Sequence, residues 1–246
     1  MLRGWFAIYY REMLVMRRRL PRMLPSMAVS PLLYMVAFGY AMGGQQMVDG
    51  HSYVDFLLPG LIAMSTMIQA FAISSEINIA RFYFHIFEEF QAAPISSSAY
   101  VAGEVLAGMT RAHISVLIII AIGFPFGVSL AYYNPLFWCG TILNSFVFAS
   151  LAVGLAMIVR SHADQAMLSN FFITPMAFLG GTFFPLERLP VWIQKPLTLL
   201  PLTHASTAIR TSLMKENPGF FPYFLLAVIG ALFFVIAVRF VGRSRD

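Results

Sequence analysis

Charge is scarce in this sequence, and so are cysteine and lysine. Only 11% of the 246 residues are charged, whereas roughly 25% is usual in a soluble domain. A soluble chain of this size would need more charge to cover its surface. Cys139 is the single cysteine, which excludes a disulfide framework or a cysteine-based metal site within one chain.

Sequence patterns for nucleotide, metal and nucleophile chemistry are absent as well. Neither of the two lysines, Lys195 and Lys215, follows a glycine, so the sequence has no P-loop to hold ATP phosphates. It also has no His-Glu-x-x-His helix for zinc and no Gly-x-Ser-x-Gly nucleophile turn. The five histidines are scattered over different segments. We therefore expect no catalytic residue, no cofactor site and no metal site in this chain.

Long uncharged stretches are the main feature of the sequence. Hydrophobic residues make up 59% of the chain, and the mean hydropathy is +0.75. Five segments carry no Asp, Glu, Lys or Arg: residues 23–48, 56–75, 112–159, 165–186 and 217–238. Each is long enough to cross a ~30 Å hydrocarbon layer as a helix of ~20 residues. The third is about twice that length, and we divide it at Tyr132-Tyr133-Asn134-Pro135.

We therefore predict an all-α, polytopic membrane protein with six transmembrane helices in a single transmembrane domain, residues 1–246. The predicted spans are residues 24–43, 56–76, 103–128, 136–159, 167–182 and 221–239. The net charge of +5 would suggest nucleic acid in a soluble protein. Here the basic residues lie mainly at helix ends, as in membrane proteins, so we expect the lipid membrane and no nucleic acid as a partner.

The distribution of arginine predicts the orientation. Six arginines precede the first span, and the next loop has no Lys or Arg. Positive residues favour the cytoplasmic side, so both termini are expected in the cytoplasm. The loop 183–218 does not follow this rule, because it is external in this topology yet carries four basic residues. Long external loops weaken the rule.

Three segments outside the predicted spans are also predicted to contain short helices. Residues 1–22 are predicted as an interfacial amphipathic helix, because Trp5, Phe6, Tyr9 and Met13 recur at helical spacing; a disordered basic tail is the alternative. Residues 77–99 are predicted as a short cytoplasmic helix ended by Pro94, which could dock a partner or lie on lipid. Residues 183–218 contain Pro185, Pro190, Pro196 and Pro201 between apolar residues, which predicts short helices that re-enter the outer leaflet.

Two charged residues fall within a predicted span. Glu104 and Arg111 are seven residues apart and share a helix face. Intramembrane ionisable groups usually face a protein interior or water. Three interpretations stay open: an intramembrane ion pair, snorkelling of the arginine towards the cytoplasm, or direct contact with a substrate.

Three motifs carry a family resemblance. The longest is Pro175-Met-Ala-Phe-Leu-Gly-Gly-Thr-Phe-Phe-Pro185-Leu-Glu-Arg-Leu-Pro190-x-Trp192, which continues to Leu200-Pro201-Leu-Thr-His204-Ala. The second is Phe56-Leu-Leu-Pro59-Gly60-Leu, and the third is Glu88-Glu89-Phe-Gln-Ala-Ala-Pro94-Ile-Ser96. Taken in their order along the chain and at their predicted depths, the three motifs resemble the permease subunits of type-2 ABC exporters, which include bacterial polysaccharide, lipid and drug exporters.

The resemblance implies a function and a set of partners. The chain would be the permease of an ATP-driven exporter in a bacterial inner membrane, not itself an enzyme. It would pair with a second copy of itself and with two copies of an ABC ATPase, which bind ATP and Mg²⁺. The expected ATPase-coupling residues are Phe87, Glu88, Glu89, Phe90 and Pro94. The expected substrate-path residues are Gln69, Phe71, Asn170 and Phe171.

Two other functions stay open at this point. A self-contained secondary transporter or channel would use Glu104, Arg111 and Glu76 to carry ions or protons. The sequence lacks the paired inverted halves with broken helices that such transporters show. A membrane enzyme acting on lipids would need carboxylates or histidines converging at one depth, and the sequence shows no such set.

Overall fold

The computed structural model describes residues 4–43, 47–48, 51–84, 86, 93–128, 130–159 and 161–243. Its regular elements are helical apart from one antiparallel pair of two-residue strands, β1 (Met47–Val48) and β2 (His51–Ser52). The α-helices are α1 (Gly4–Gly43), α2 (Tyr53–Phe71), α3 (Ile73–Phe82), α4 (Ser97–Gly123), α5 (Pro135–Ile158), α6 (His162–Leu168), α7 (Thr174–Leu179), α8 (Val191–Leu197), α9 (Pro201–Leu213) and α10 (Phe221–Arg243). Short 3₁₀ turns occupy Phe124–Phe126 and Leu186–Arg188. The prediction of an all-α membrane protein is confirmed.

Four helical segments of the described chain are long and apolar enough to cross a membrane. They are Tyr53–Phe82, Ser97–Phe126, Pro135–Ile158 and Phe221–Arg243, and they coincide with four of the six predicted spans. The predicted span 24–43 is the second half of α1, and 167–182 is divided among α6, α7 and the helix between them. The count of six therefore stays a prediction.

Helix α1 runs without interruption through the two segments predicted as an interfacial helix and a first span. It holds 40 residues and includes Pro21, Pro25 and Pro31. Its first half packs on α4 through Ile8 and Glu12, which are buried, whereas the aromatic residues Trp5 and Phe6 are exposed. Tyr9 and Met13, which belong to the same predicted stripe, pack against the core, and the hydroxyl of Tyr9 lies 3.1 Å from Oγ1 of Thr110 on α4. Only part of that stripe is therefore turned away from the bundle.

Helix α2 lies at the centre of the bundle. It begins at the Ser52 N-cap, whose hydroxyl accepts a hydrogen bond from the backbone N–H of Val54 at 3.3 Å. It packs against α1, α4, α5 and α9, and most of its side chains are buried. A turn at Ala72 separates it from α3. The side-chain amide of Asn144 on α5 donates to the carbonyl of Ala63 at 2.9 Å, an interhelical bond of the kind that substitutes for water in a membrane.

The last third of the chain contains the most irregular helices. A five-residue π-helix, Ser169–Ile173, joins α6 to α7. A turn at Gly180-Gly181-Thr182 then leads to the short helices α8 and α9. Helix α9 is embedded in the bundle against α2 and α5, with Leu202, Ala205 and Ile209 fully buried.

Candidate functional site

A cavity of about 340 Å³ opens between α1, the α2–α3 junction and the segment from the π-helix to α7. Helix α1 contributes a polar and aromatic wall from Ser26 to Tyr34. Its size falls in the usual range for small-ligand sites, roughly 300–1,000 Å³. The residues that line it are Ser26, Met27, Ser30, Pro31, Tyr34, Met64, Ser65, Ile68, Gln69, Phe71, Ala72, Ser75, Ser169, Ile173, Thr174, Ala177 and Phe178.

Hydroxyl groups and aromatic rings give this cavity its chemical character. Five serines and Thr174 line it together with Tyr34, Phe71 and Phe178, and none of the described lining residues is charged. Such a surface offers hydrogen bonds and apolar faces but no counter-ion. It therefore suits an uncharged, amphipathic part of a molecule.

Only one side of the fifth predicted span, which contains the π-helix, faces this cavity. Ile173 is buried and lines the cavity, whereas Phe171 is 73% exposed. Asn170 is also exposed. Of the four predicted path residues, Gln69 and Phe71 thus line the cavity, and Asn170 and Phe171 point outward from the chain.

Arg111 connects three helices just behind Gln69. Its Nε–H donates to Oε1 of Gln69 at 3.1 Å, and its Nη1 lies 3.5 Å from Oε1 of Glu76 on α3. The other oxygen of Glu76 accepts from Nη1 of Arg19 on α1 at 2.6 Å. Because a guanidinium has only donors, the amide oxygen of Gln69 must face Arg111. The amide N–H₂ group of Gln69 is therefore directed away from it.

The predicted ion pair between Glu104 and Arg111 does not form. Two helical turns separate the residues by about 10.5 Å along the axis, whereas Glu76 approaches Arg111 from a neighbouring helix. Glu104 instead receives a hydrogen bond from Tyr100, one turn away. Arg19 could not be predicted as a partner of Glu76, because its position relative to α3 depends on how α1 packs.

A second buried network joins α3 to α6. Nδ2 of Asn78 donates to Oε1 of Gln165 at 3.1 Å, and Nε2 of Gln165 donates to Oγ of Ser74 at 2.8 Å. All three side chains are buried. This network lies just beyond the cavity residues Ser75 and Ser169, and our sequence analysis did not identify it. The network could have been predicted only from the polar residues at positions 74, 78 and 165, which lie close to the ends of uncharged stretches.

The sequence pattern of the ABC-2 type transporter family matches residues 3–214. This chain belongs to that family. The inner membrane transport permease YadH of Escherichia coli is 29% identical over 222 residues, which cover 88% of this chain and 86% of YadH. Nodulation protein J of Sinorhizobium fredii is 28% identical over 222 residues, which cover 88% of this chain and 83% of that protein. The resemblance drawn from the three motifs is confirmed.

The longest of those motifs includes the tight turn at residues 180–182, which follows the cavity residues Ala177 and Phe178. A methyl group built on Gly60 of α2 would lie only 2.4 Å from the carbonyl oxygen of Thr182, so a side chain there would separate the turn from α2. Nη2 of Arg210 donates to the carbonyl of Gly181 at 2.6 Å, and its guanidinium stacks 3.8 Å from the ring centre of Phe56. The two family motifs thus contact each other directly.

The predicted coupling segment of the permease is described only in part. Helix α3 extends to Phe82, and α4 begins after Ser96, whose hydroxyl accepts from the backbone N–H of Ala99 at 3.3 Å. Pro94 is exposed in a bend between them. The other predicted coupling residues, Phe87, Glu88, Glu89 and Phe90, lie outside the described residues.

Proposed function

We propose that this chain is the membrane-spanning permease of an ATP-driven exporter that moves its cargo along the cavity between α1, α2 and α7. Membership of the ABC-2 family supports a transport role. The uncharged, hydroxyl-lined cavity of about 340 Å³ is the single observation that supports this route. Gln69 would present its N–H₂ group to the cargo, because Arg111 occupies its oxygen.

The energy source in this proposal is a separate ABC ATPase. The sequence lacks a P-loop, and P-loops supply the backbone N–H groups that hold ATP phosphates. ATP and Mg²⁺ would therefore bind to two partner ATPase subunits. These would dock on the segment 77–99 through Phe87, Glu88, Glu89, Phe90 and Pro94.

Movement would reach the cavity through α3. This helix connects the docking segment to α2, and its side chains bond to α1, α4 and α6 through Glu76, Ser74 and Asn78. A rigid-body displacement of α3 would carry those neighbours with it. A second copy of the chain would complete the pathway, with the exposed Asn170 and Phe171 directed to the interface between the two copies.

The cargo belongs to the class of lipids, polysaccharides or drug-like molecules in this proposal. The aromatic residues Tyr34, Phe71 and Phe178 can contact apolar or ring-shaped groups, and the serines can hydrogen-bond to hydroxyls. The direction is from the cytoplasm or inner leaflet outward.

The localisation proposed is a bacterial inner membrane with both termini in the cytoplasm. Single cysteines in a Cys139→Ser background test it. Tyr133→Cys, at a position that is 79% exposed between α4 and α5, is expected to react with an impermeant maleimide on intact spheroplasts. Ser98→Cys, exposed at the other end of α4, is expected to react only after permeabilisation. The reverse labelling would overturn the topology.

A tryptophan in the cavity tests the route. Ser30→Trp is expected to fill the cavity and stop export by the reconstituted complex with its co-purifying ATPase, while ATP hydrolysis continues. Val29→Trp is the matched control, because Val29 is the preceding residue on α1 and does not line the cavity. Equal export by both variants would exclude this route.

A charge reversal tests the partner. Glu89→Arg is expected to uncouple ATP hydrolysis from export with little loss of folding. Normal coupled export by this variant would contradict docking through residues 77–99. Full transport in vesicles without nucleotide and without an ATPase would favour the secondary transporter.

A further inference from the structure

The seam between the first half of α1 and the start of α4 contains two buried carboxyl groups. Glu12 on α1 is 7% exposed and Glu104 on α4 is 2% exposed. The helices are very close here, because a methyl group built on Gly103 would lie 2.6 Å from Cβ of Ile8. Glu12 follows Ile8 by one turn and therefore shares its face towards α4. Glu12 also lines a small space with Ala107, one turn after Gly103.

Glu104 lacks the partners that an ionised carboxylate needs. Tyr100 hydrogen-bonds to it, but no donor in the described part of the chain reaches its Oε2 atom. An ionised carboxylate has only acceptors, and burying its charge without hydrogen bonds costs several kcal/mol or more. A protonated carboxyl carries no net charge and avoids most of that cost.

Three of the surrounding basic groups form ion pairs with other acids, and Arg81 donates to the backbone carbonyl of Ala156. Arg11 lies 2.5 Å from Glu12, and Arg19 and Arg111 both contact Glu76. Helix α5 carries no Asp, Glu, Lys, Arg or His, and its one thiol is that of Cys139. The basic residues of α10 lie near its end, where Gly242 approaches Ser97. The charged and titratable groups that face Glu104 and its partner Tyr100 from the adjoining helices are Arg11, Glu12, Glu76 and Arg81.

We propose that Glu104 is a proton-binding site and that its bound proton keeps the first half of α1 docked on α4. Release of this proton to water would place a second negative charge beside Glu12 inside the seam. The two carboxylates would then repel each other, and the seam would loosen. A surface cavity of about 270 Å³ is lined by Arg11, Glu12 and Glu76 and so opens beside the other carboxyl of the pair.

The consequence reaches the large cavity because α1 is a single helix. The same helix that carries Ile8 and Glu12 in the seam also forms the cavity wall from Ser26 to Tyr34. Loosening the seam at higher pH would free that wall to move. This inference concerns the chain alone and does not depend on the cargo or on an ATPase.

Infrared spectroscopy tests the protonation. In the full-length chain in lipid nanodiscs at about pH 7, Glu104→Gln is expected to remove the C=O stretch of a protonated carboxyl. Glu76→Gln is the matched control and is expected to leave that band unchanged, because Glu76 is ion-paired with Arg19 and Arg111. An unchanged band in the Glu104→Gln protein would overturn the proposal.

A disulfide across the seam tests the docking. Cβ of a residue built at Gly4 would lie 3.5 Å from Cβ of Ala99, within the range for a disulfide. Gly4→Cys with Ala99→Cys, in a Cys139→Ser chain, is cross-linked with and without Glu104→Gln. The ratio of the two rates cancels the pH dependence of the thiols. We divide the cross-linking rate of the chain that keeps Glu104 by the rate of the chain with Glu104→Gln. This ratio is expected to fall about threefold or more between about pH 6 and about pH 9.

The variant Glu12→Gln tests whether repulsion between the two carboxylates causes the loss of cross-linking. With Glu12→Gln, no carboxylate repels Glu104 across the seam, so the loss of cross-linking is expected to be smaller. A relative rate that stays constant with pH, or that falls equally with and without Glu12, would overturn the proposal.

Discussion

Arg111 on α4 pairs with Glu76 on α3, at 3.5 Å between Nη1 and Oε1. The side chain of Arg111 is 18% exposed and that of Arg19, which shares Glu76, is 46% exposed. The two arginines therefore depend on one carboxylate to different degrees. This relationship fixes α3 between α1 and α4, next to the cavity residue Gln69.

Replacement of Glu76 is expected to destabilise the protein more than replacement of Arg19, its more exposed partner. Glu76→Ala leaves the mostly buried Arg111 without its acid, and we expect a loss of about 2–4 kcal/mol in the free energy of unfolding. Arg19→Ala breaks an exposed pair that solvent screens, and we expect less than about 1 kcal/mol. Unfolding of both variants in mixed micelles with increasing denaturing detergent measures the difference. Equal losses would show that Arg111 does not rely on Glu76.

The amide network of α3 and α6 predicts a non-additive pair of mutations. Gln165→Leu leaves the buried Asn78 amide without its acceptor, which is expected to cost about 1–3 kcal/mol. Adding Asn78→Leu removes the orphaned group, so the double variant is expected to regain most of that loss.

Asn170→Leu, on the exposed side of the following π-helix, is the matched control for Gln165→Leu. It is expected to change stability by no more than about 0.5 kcal/mol. Additive losses from Gln165→Leu and Asn78→Leu in the same unfolding assay would contradict a direct interaction between the two amides.

The contact between Gly60 and Thr182 predicts a strict requirement for glycine. Gly60→Ala would bring a methyl group 2.4 Å from a backbone oxygen, so the turn at residues 180–182 must move. We expect a loss of about 1–3 kcal/mol. Gly39→Ala on α1 is the control, because the nearest atom to its methyl group would be 3.6 Å away. There we expect a gain of up to about 1 kcal/mol from helix propensity, and a comparable loss in both variants would refute the close contact.

Stability is expected to fall with rising pH through Glu12, which lies outside the predicted spans. Burial raises the pKa of Glu12 from its usual 4.5, and the charge of Arg11 opposes this shift. The folded chain therefore keeps the proton at a higher pH than the unfolded chain does. The stabilisation is complete below pH 4.5 and is lost as the pH rises through the folded pKa.

Glu12→Gln is the variant that checks this pH dependence. It stays neutral at every pH, so its unfolding free energy is expected to change less over this range than that of the parent. The comparison is made by detergent unfolding in a series of buffers from about pH 4.5 upward. Parallel pH profiles would show that Glu12 does not titrate differently in the folded chain.

The longest helices were predictable because their signal is local. Uncharged stretches at least about 20 residues long identify spans without knowledge of their neighbours, and α5 and α10 begin within one residue of the predicted positions. Pro94 and Ser96 likewise indicated the break before α4. The continuity of α1 was not predicted, because three prolines and a run of arginines resemble a helix boundary in sequence.

The pairing of polar residues could not be predicted in the same way. Glu104 and Arg111 lie on one face of one helix, which suggested a pair, yet the closest acid to Arg111 comes from α3. Phe171 points away from the cavity that Phe71 lines, and nothing in the residue types at positions 169–173 indicated which side of that segment would face the cavity. Both outcomes depend on the neighbours of each helix.

The sequence by itself determined that this chain is a helical membrane protein of a transport family, because hydropathy and short motifs are properties of contiguous residues. Only the tertiary structure decided that Glu76 would join Arg19 to Arg111, that Gln165 would join α6 to α3, and that Glu104 would be buried beside Glu12. The physical reason is that a buried polar group needs a partner, and the partner is chosen by which helix faces pack together.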